Sequence, residues 1–317
     1  MNPDQVFILL ATYNRAHLVT ETLQSIQNQT YKYWQCIIVD DFSSDDTPKV
    51  VQEFIADDPR FSFYIKTEPY AKGLSGSRNY GLDLAQQKGA KFIQFFDDDD
   101  VVHPLNLEVT LDAILKGDYD FCHFIRHAFK GDFNHNFNLN KCYESTELNE
   151  NHLLKIISGE ICFNSCQILW SLDAIGNERF NEKLHYAEEW EFFTRILTYP
   201  FRGISVDKVL YFARKHTESN TGEFWKGSDL RSSSNSLAIK LVIEHLFQNN
   251  LLSKKMERHF FQLSVFHKDE SVLSSLLKRM KSKKDKIKYR FFYKIYPVMS
   301  FAHKRKKRIK ARLKEIF

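Results

Sequence analysis

The chain has 317 residues, 43% of them hydrophobic and 15% aromatic, with a net charge of +5. That length buries a full core and exceeds the usual single-domain size, so one large domain with an appendage is expected and a low-complexity or fibrous chain is excluded. The net charge conceals an asymmetry: residues 278–317 carry 17 basic against two acidic side chains, +15, while the rest of the chain sums to −10. An acidic body and a basic, aromatic-studded tail are two physical objects that meet different partners.

In chain order, Val6 to Ala11 is an apolar, strand-length run, and Leu18 to Gln27 places Leu18, Leu23 and Ile26 on one helical face. Trp34 to Val39 is a second strand, ending in Asp40-Asp41. Thr47-Pro48 reads as an N-cap followed by proline at the first helical position, opening a helix through Val50, Val51, Phe54 and Ile55. Phe61 to Ile65 is a third strand, Leu74 to Lys88 a helix stopped by Gly89, Phe92 to Phe96 a fourth strand, and Leu105 to Leu115 a helix. Further strands are expected at Phe121 to Arg126 and Val209 to Phe212. Helical hairpins follow at Leu237 to Phe247, Met256 to Phe266 and Ser271 to Met280. Strands alternating with helices predict an α/β fold, a mostly parallel central sheet covered by helices on both faces, with a helical C-terminal region. In such sheets ligands bind beyond the carboxyl ends of the strands, so the polar clusters that end the first, second and fourth strands should converge.

The five cysteines, Cys36, Cys122, Cys142, Cys162 and Cys166, are odd in number and scattered, which points to reduced thiols rather than a disulfide framework or a zinc site. Met1 to Gln5 is polar and the first apolar run is short, so no leader is expected, and no stretch has the length of a membrane span.

The most informative junction is Phe92 to Asp100, an apolar strand that ends in four consecutive aspartates. Adjacent anions repel; a bound divalent cation compensates them, and hard Mg²⁺ or Mn²⁺ prefers carboxylate oxygen. A solvated acidic loop is the alternative. Asp97 and Asp99 are two apart, so on an extended strand end their side chains would point the same way.

Five stations resemble the GT-A fold glycosyltransferases of the large inverting family 2, the Rossmann-like enzymes that use nucleotide-sugar donors. They are Ala11-Thr12-Tyr13-Asn14-Arg15; Val39 to Thr47, with Phe42 where glycine is common; Gly76-Ser77-Arg78-Asn79; Phe96 to Asp100, which resembles the Asp-x-Asp motif; and Phe180 to Leu184 followed by Glu188-Glu189-Trp190. The resemblance covers roughly residues 6–220, which sets a transferase domain over 1–225; hydrophobic pattern and charge add a helical extension over 226–280 and a basic amphipathic tail over 281–317.

Position by position, the resemblance implies that Thr12, Tyr13 and Arg15 line the nucleotide pocket, Tyr13 stacking on the base. Asp41 would accept from a uracil N–H, or else only cap its turn. Arg78 would neutralise the donor diphosphate, or else form a helix-surface salt bridge. Asp97 would hold ribose or a metal-bound water, Asp99 the Mn²⁺ or Mg²⁺ ion, and Asp100 the donor sugar, with Asp98 pointing away. Glu189 takes the general-base position, in place of the more common aspartate, with Glu188 as runner-up. Trp190 either stacks on an acceptor sugar or packs in the core. His216, in Arg214-Lys215-His216, resembles an element that closes over the diphosphate and is a candidate metal or phosphate contact.

The expected function is therefore transfer of a sugar from a UDP-sugar to a hydroxyl of a glycan or lipid-linked acceptor in bacterial surface polysaccharide synthesis. A nucleotidyltransferase would want a glycine-rich loop after the first strand, and Thr12 to His17 contains no glycine. A non-catalytic membrane- or glycan-binding protein on the same scaffold need not retain so many crowded carboxylates. The basic tail, interleaved with Ile287, Tyr289, Phe291 and Phe292, suits an anionic membrane surface. It lacks any module for reading nucleic acid, so no nucleic-acid partner is expected. A cytoplasmic protein held peripherally at the inner face of the membrane follows.

Overall fold

A computed structural model describes residues 4–215, 222, 224 and 226–296. His216 and the basic residues beyond 296 lie outside them. Strands β1 (Val6–Thr12), β2 (Trp34–Asp40), β3 (Phe61–Ile65) and β4 (Phe92–Asp97) alternate with helices α1 (Val19–Gln27), α2 (Thr47–Ile55) and α3 (Leu74–Gln87). Then come β5 (Val101–Val102), α4 (Asn106–Gly117), β6 (Phe121–Phe129), β7 (Ser145–Leu148), α5 (Leu153–Ile157), β8 (Ile168–Ser171), α6 (Leu172–Ile175), α7 (Glu188–Ile196) and β9 (Gly203–Arg214). Helices α8 (Asp229–Gln248), α9 (Lys254–Phe266) and α10 (Glu270–Arg279) follow.

The strands form one nine-stranded sheet in the order β3-β2-β1-β4-β8-β6-β9-β5, with β7 on β9. β3, β2, β1 and β4 are mutually parallel, as the alternating pattern predicts; β8 runs antiparallel between β4 and β6. The register pairs Ala11 with Asp97 and Thr12 with Asp40, so the three polar clusters do end at one sheet edge. Val6, Ile8 and Leu10 of β1 pack with Leu23 and Ile26 of α1 and with Phe92, Phe96 and Tyr211 in one fully buried cluster. Each such large apolar side chain contributes roughly 1.5–3 kcal/mol on burial, which fixes the strand ends in place.

Several bounds differ from the sequence expectation: β6 runs on to Phe129, β9 starts at Gly203 and α8 at Asp229. α2 starts at Thr47 rather than after it: Asp46 is the N-cap and Pro48 lies in the first turn, because the Thr47 hydroxyl is used elsewhere, accepting the Arg15 N–H at 2.7 Å. β7 and β8 escape prediction since four residues each are too few for periodicity to register, and their pairing is set by distant partners.

The chain divides into two compact units, Met1–Ala238 and Ile239–Phe317. Within the second, Asn250 and Lys268 adopt positive φ at the turns after α8 and α9. Asp269 caps α10 by accepting from the Ser271 and Val272 N–H groups. The helical segment 283–296 exposes Ile287, Phe291 and Tyr296. No helix among the described residues is long and apolar enough to cross a membrane.

His103, which follows β5, is 1% exposed and satisfied as a neutral ring: Nδ1 accepts the Leu105 N–H at 3.0 Å, and Nε2 lies 3.1 Å from the Asn138 carbonyl, to which it donates. Burial, reinforced by the Lys208 charge, pushes its pKa down to about 4 from 6.5. The unfolded chain thus binds this proton first as pH falls. The associated stability is complete above pH 6.5 and drains by about 2–3 kcal/mol as pH approaches 4. Urea unfolding of wild type and His103→Gln at a series of pH values checks this: the variant should lose that part of the acid slope, and identical slopes would contradict it.

Candidate functional site

The site is assembled at the carboxyl ends of β1, β2 and β4. After β1 the chain turns through Asn14, at φ 51°, and is laced to the loop after β2. The Asn14 N–H donates to Ser43 Oγ at 2.9 Å and the Ser44 N–H to Asn14 Oδ1 at 2.8 Å. In that second loop Phe42 holds φ 60°, the left-handed region glycine occupies freely, and its ring is exposed. Asp40 caps this turn by accepting the Ser43 N–H at 2.9 Å. Asp41 therefore does not cap it: it is buried, accepts the Gly73 N–H at 2.7 Å and is ion-paired with the buried Lys66 ammonium. Lys66 was missed in the sequence; a lysine closing the apolar strand Phe61–Ile65 was the available signal.

Tyr13 is exposed, with the Lys72 ammonium 4.9 Å from its ring centroid, and its N–H donates to Asp98 Oδ2 at 3.3 Å. Thr12 is buried. Arg15 Nε lies 3.6 Å from Asp98 and 3.9 Å from Asp99.

Asp97 closes β4, and Asp98 and Asp99 form a turn. Strand alternation therefore stops at Asp97, and Asp100, three residues on, returns toward it. Oxygens of Asp97 and Asp100 and the Cys166 sulfur all lie within 4.8 Å of one another. β9 pins this turn. The Arg214 N–H donates to Asp100 Oδ1 at 2.7 Å, Arg214 Nε to the Asp99 carbonyl at 2.9 Å, and the Asp97 N–H to the Tyr211 hydroxyl at 3.1 Å. Crowding is reflected in proton affinity. Burial and then the Asp99 charge push Asp98 up to about 7, and burial with repulsion from Asp97 and Asp99 raises Asp100 well above the carboxylate range.

The donor set fits a hard divalent cation. Asp97 and Asp100 supply oxygen, and their mutual repulsion is what such an ion relieves. Burial raises the Cys166 pKa well above that of a free thiol, so it stands as a neutral neighbour rather than a thiolate.

Arg78 joins the two halves of the site. It is 2% exposed on α3, donating through Nη2 to Asp97 at 3.0 Å and through Nη1 to Glu189 at 2.8 Å. Glu189, in the first turn of α7, also accepts from Asn164 Nδ2 at 2.8 Å and from the Ser165 N–H at 3.3 Å. Burial opposes its charge, but Arg78 and the Ser165 hydrogen bonds hold its pKa below the ordinary glutamate value. For Glu188, burial and then its neighbour Glu189 outweigh the Arg78 charge and push it up to about 7. Trp190 donates its indole N–H to the Ile157 carbonyl at 3.1 Å. Asn164 and Ser165 were not singled out from the sequence, where nothing marks a lone Asn-Ser pair as a carboxylate cradle.

Asn79 of α3 anchors the segment that precedes α7, bonding the Phe180 backbone in both directions, at 2.8 and 2.9 Å, and Glu182 Oε1 at 2.8 Å. Gly76 is required at the start of α3, because a Cβ there would lie 2.0 Å from the Ala71 carbonyl oxygen.

Residues 7–173, just over half the chain, match the glycosyl transferase family 2 profile. Among curated relatives, the chain is 31% identical over 186 residues to the GalNAc(5)-diNAcBac-PP-undecaprenol beta-1,3-glucosyltransferase of Campylobacter jejuni, covering 57% of this chain and 56% of that protein. It is 36% identical over 116 residues to the Escherichia coli UDP-Glc:alpha-D-GlcNAc-diphosphoundecaprenol beta-1,3-glucosyltransferase WfgD, covering 37% and 43%. The chain thus spans about half the length of these relatives. Of solved structures, S. aureus TarS in complex with UDP-GlcNAc superposes with a TM-score of 0.66 at 20% identity, over 87% of this chain and 80% of that one. The Pyrobaculum calidifontis mannosyltransferase PcManGT, in complex with GDP-Man and Mn²⁺, superposes with a TM-score of 0.57 at 13% identity, over 100% and 88%. These superpositions identify the fold as GT-A. The chain belongs to glycosyl transferase family 2.

Proposed function

We propose that this protein is an inverting hexosyltransferase that moves a sugar from a UDP-sugar to a hydroxyl of a lipid-linked glycan in bacterial surface polysaccharide synthesis. The observation that carries the reading is the buried Arg78 holding Asp97, at the acidic strand end, and Glu189, at the start of α7, as one charged unit. The relatives' names, which specify undecaprenyl-diphosphate glycans, support the acceptor class.

On this reading Tyr13 offers its exposed ring to the base, with Thr12 and Arg15 beside it. Asp41, already engaged by Gly73 and Lys66, accepts the base N–H with a remaining lone pair. Asp97 and Asp100 hold the divalent cation, with Asp98, Asp99 and His216 completing the donor side. A bound Mn²⁺ or Mg²⁺ supplies Lewis-acid charge for the departing nucleotide. Glu189, kept ionised by Arg78, takes the proton of the acceptor hydroxyl as that oxygen bonds to the anomeric carbon, opposite the breaking bond to the diphosphate. Trp190 and Glu188 flank the acceptor. The basic tail, whose described part exposes Ile287 and Phe291, docks on the anionic inner face of the membrane, where each basic residue near the headgroups contributes about 1 kcal/mol.

Incubation of the full chain with UDP-α-sugars and a GlcNAc-diphosphoprenol acceptor, read by NMR of the product, tests the reading. A new β-linkage is expected. A retained α-linkage, or no consumption of any UDP-sugar, would overturn it.

A further inference from the structure

One cation near the site has no part in the scheme above. Arg126 sits in β6 opposite Tyr211 of β9, the residue whose hydroxyl accepts the Asp97 N–H. The β6–β9 register slips immediately before it, between Ile125 and Arg126, a strand irregularity of the kind found beside ligand sites. Its side chain is partly buried. Burial opposes its charge, while nearby acidic groups, the Glu189 and Asp97 carboxylates among them, more than restore it. Yet Arg126 closes no ion pair among the described residues: the Asp97 and Glu189 carboxylates are both taken by Arg78, and Arg15 serves Asp98 and Asp99. A partly buried guanidinium left without a bidentate partner among the described residues is matched to an incoming oxyanion, and phosphate geometry suits its fork.

We propose that Arg126 is a substrate-binding residue that takes a diphosphate oxyanion. Within the transferase reading, on which this rests, that group comes either from the nucleotide donor or from a prenyl-diphosphate acceptor. A mere countercharge to Glu189 and Asp97 would act on stability and leave anion affinity untouched.

The test is calorimetric titration of the full chain with UDP plus Mn²⁺, and separately with farnesyl diphosphate, for wild type, Arg126→Gln and Arg126→Lys, alongside urea midpoints. At least a tenfold loss of farnesyl diphosphate affinity in Arg126→Gln, with UDP unchanged, supports the proposal and assigns the acceptor. The converse loss supports it and assigns the donor. Arg126→Lys, which keeps the charge and loses the fork, should retain part of the affinity, and it serves as the informative variant if Arg126→Gln does not fold. Unchanged affinities for both anions in the variants would overturn the proposal while leaving the transferase reading intact. Failure of wild type to bind either anion would sink both.

Discussion

Glu189→Gln should lower the turnover of sugar transfer by about 10²–10⁴-fold while leaving UDP affinity within about twofold of wild type, since a positioned general base contributes on that scale. The carboxylate is held by three donors: Arg78 on one oxygen, Asn164 Nδ2 and the Ser165 N–H on the other. That cradle leaves a lone pair for the acceptor proton and keeps the group ionised, which neutral glutamine cannot reproduce. Glu188 does not share that cradle among the described residues, and burial beside Glu189 raises its pKa to about 7, so near neutral pH much of it is already protonated. Initial rates with saturating donor measure this. Transfer within about fivefold of wild type would show that the base is another group, and a matching loss in Glu188→Gln would point to that neighbour.

Arg78→Met should cost about 3–5 kcal/mol of folding stability, because truncating one member of a buried charge network strands the others. Here two carboxylates, Asp97 and Glu189, would face each other with their shared cation gone. Arg78→Lys should recover only part of the loss: a single ammonium cannot span both carboxylates as the planar fork does. Urea unfolding gives the comparison directly. A Met variant within about 1 kcal/mol of wild type would mean that solvent or a rearranged partner already neutralises the pair. The sequence expectation assigned Arg78 to the donor diphosphate or to a surface salt bridge; in the folded chain its guanidinium is buried and both ends are occupied by protein carboxylates.

The parallel half of the sheet was legible because β1 to β4 are apolar runs separated by amphipathic helices, and each strand's polar terminus marks where the chain leaves the core. The antiparallel half was not. β8 inserts between β4 and β6 through residues that pair with partners far away in sequence, and nothing local in Ile168–Ser171 announces this. The same contrast holds in the site. Carboxylates at strand and helix ends could be named from their position, whereas the groups that steady them, Asn164, Ser165, Lys66 and Tyr211, come from elements joined only in the folded state. The four-aspartate run shows the limit most clearly. A period-two argument pairs Asp97 with Asp99; the strand ends at Asp97, however, and the turn through Asp98 and Asp99 also brings Asp100 back toward Asp97. Alternation is a property of extended backbone, and it stops where the turn starts.

The central claim is that a nucleotide diphosphate and a divalent cation bind together at the end of β4. Calorimetric titration of UDP into the full chain, with and without Mn²⁺, for wild type, Asp97→Asn and Asp99→Asn, tests it most directly. The account predicts Mn²⁺-dependent binding in wild type and its loss in Asp97→Asn, with the Asp99 variant reporting how far that side chain shares in holding the ion. Absence of UDP binding by wild type under either condition, or Mn²⁺-dependent binding undiminished in Asp97→Asn, would contradict it.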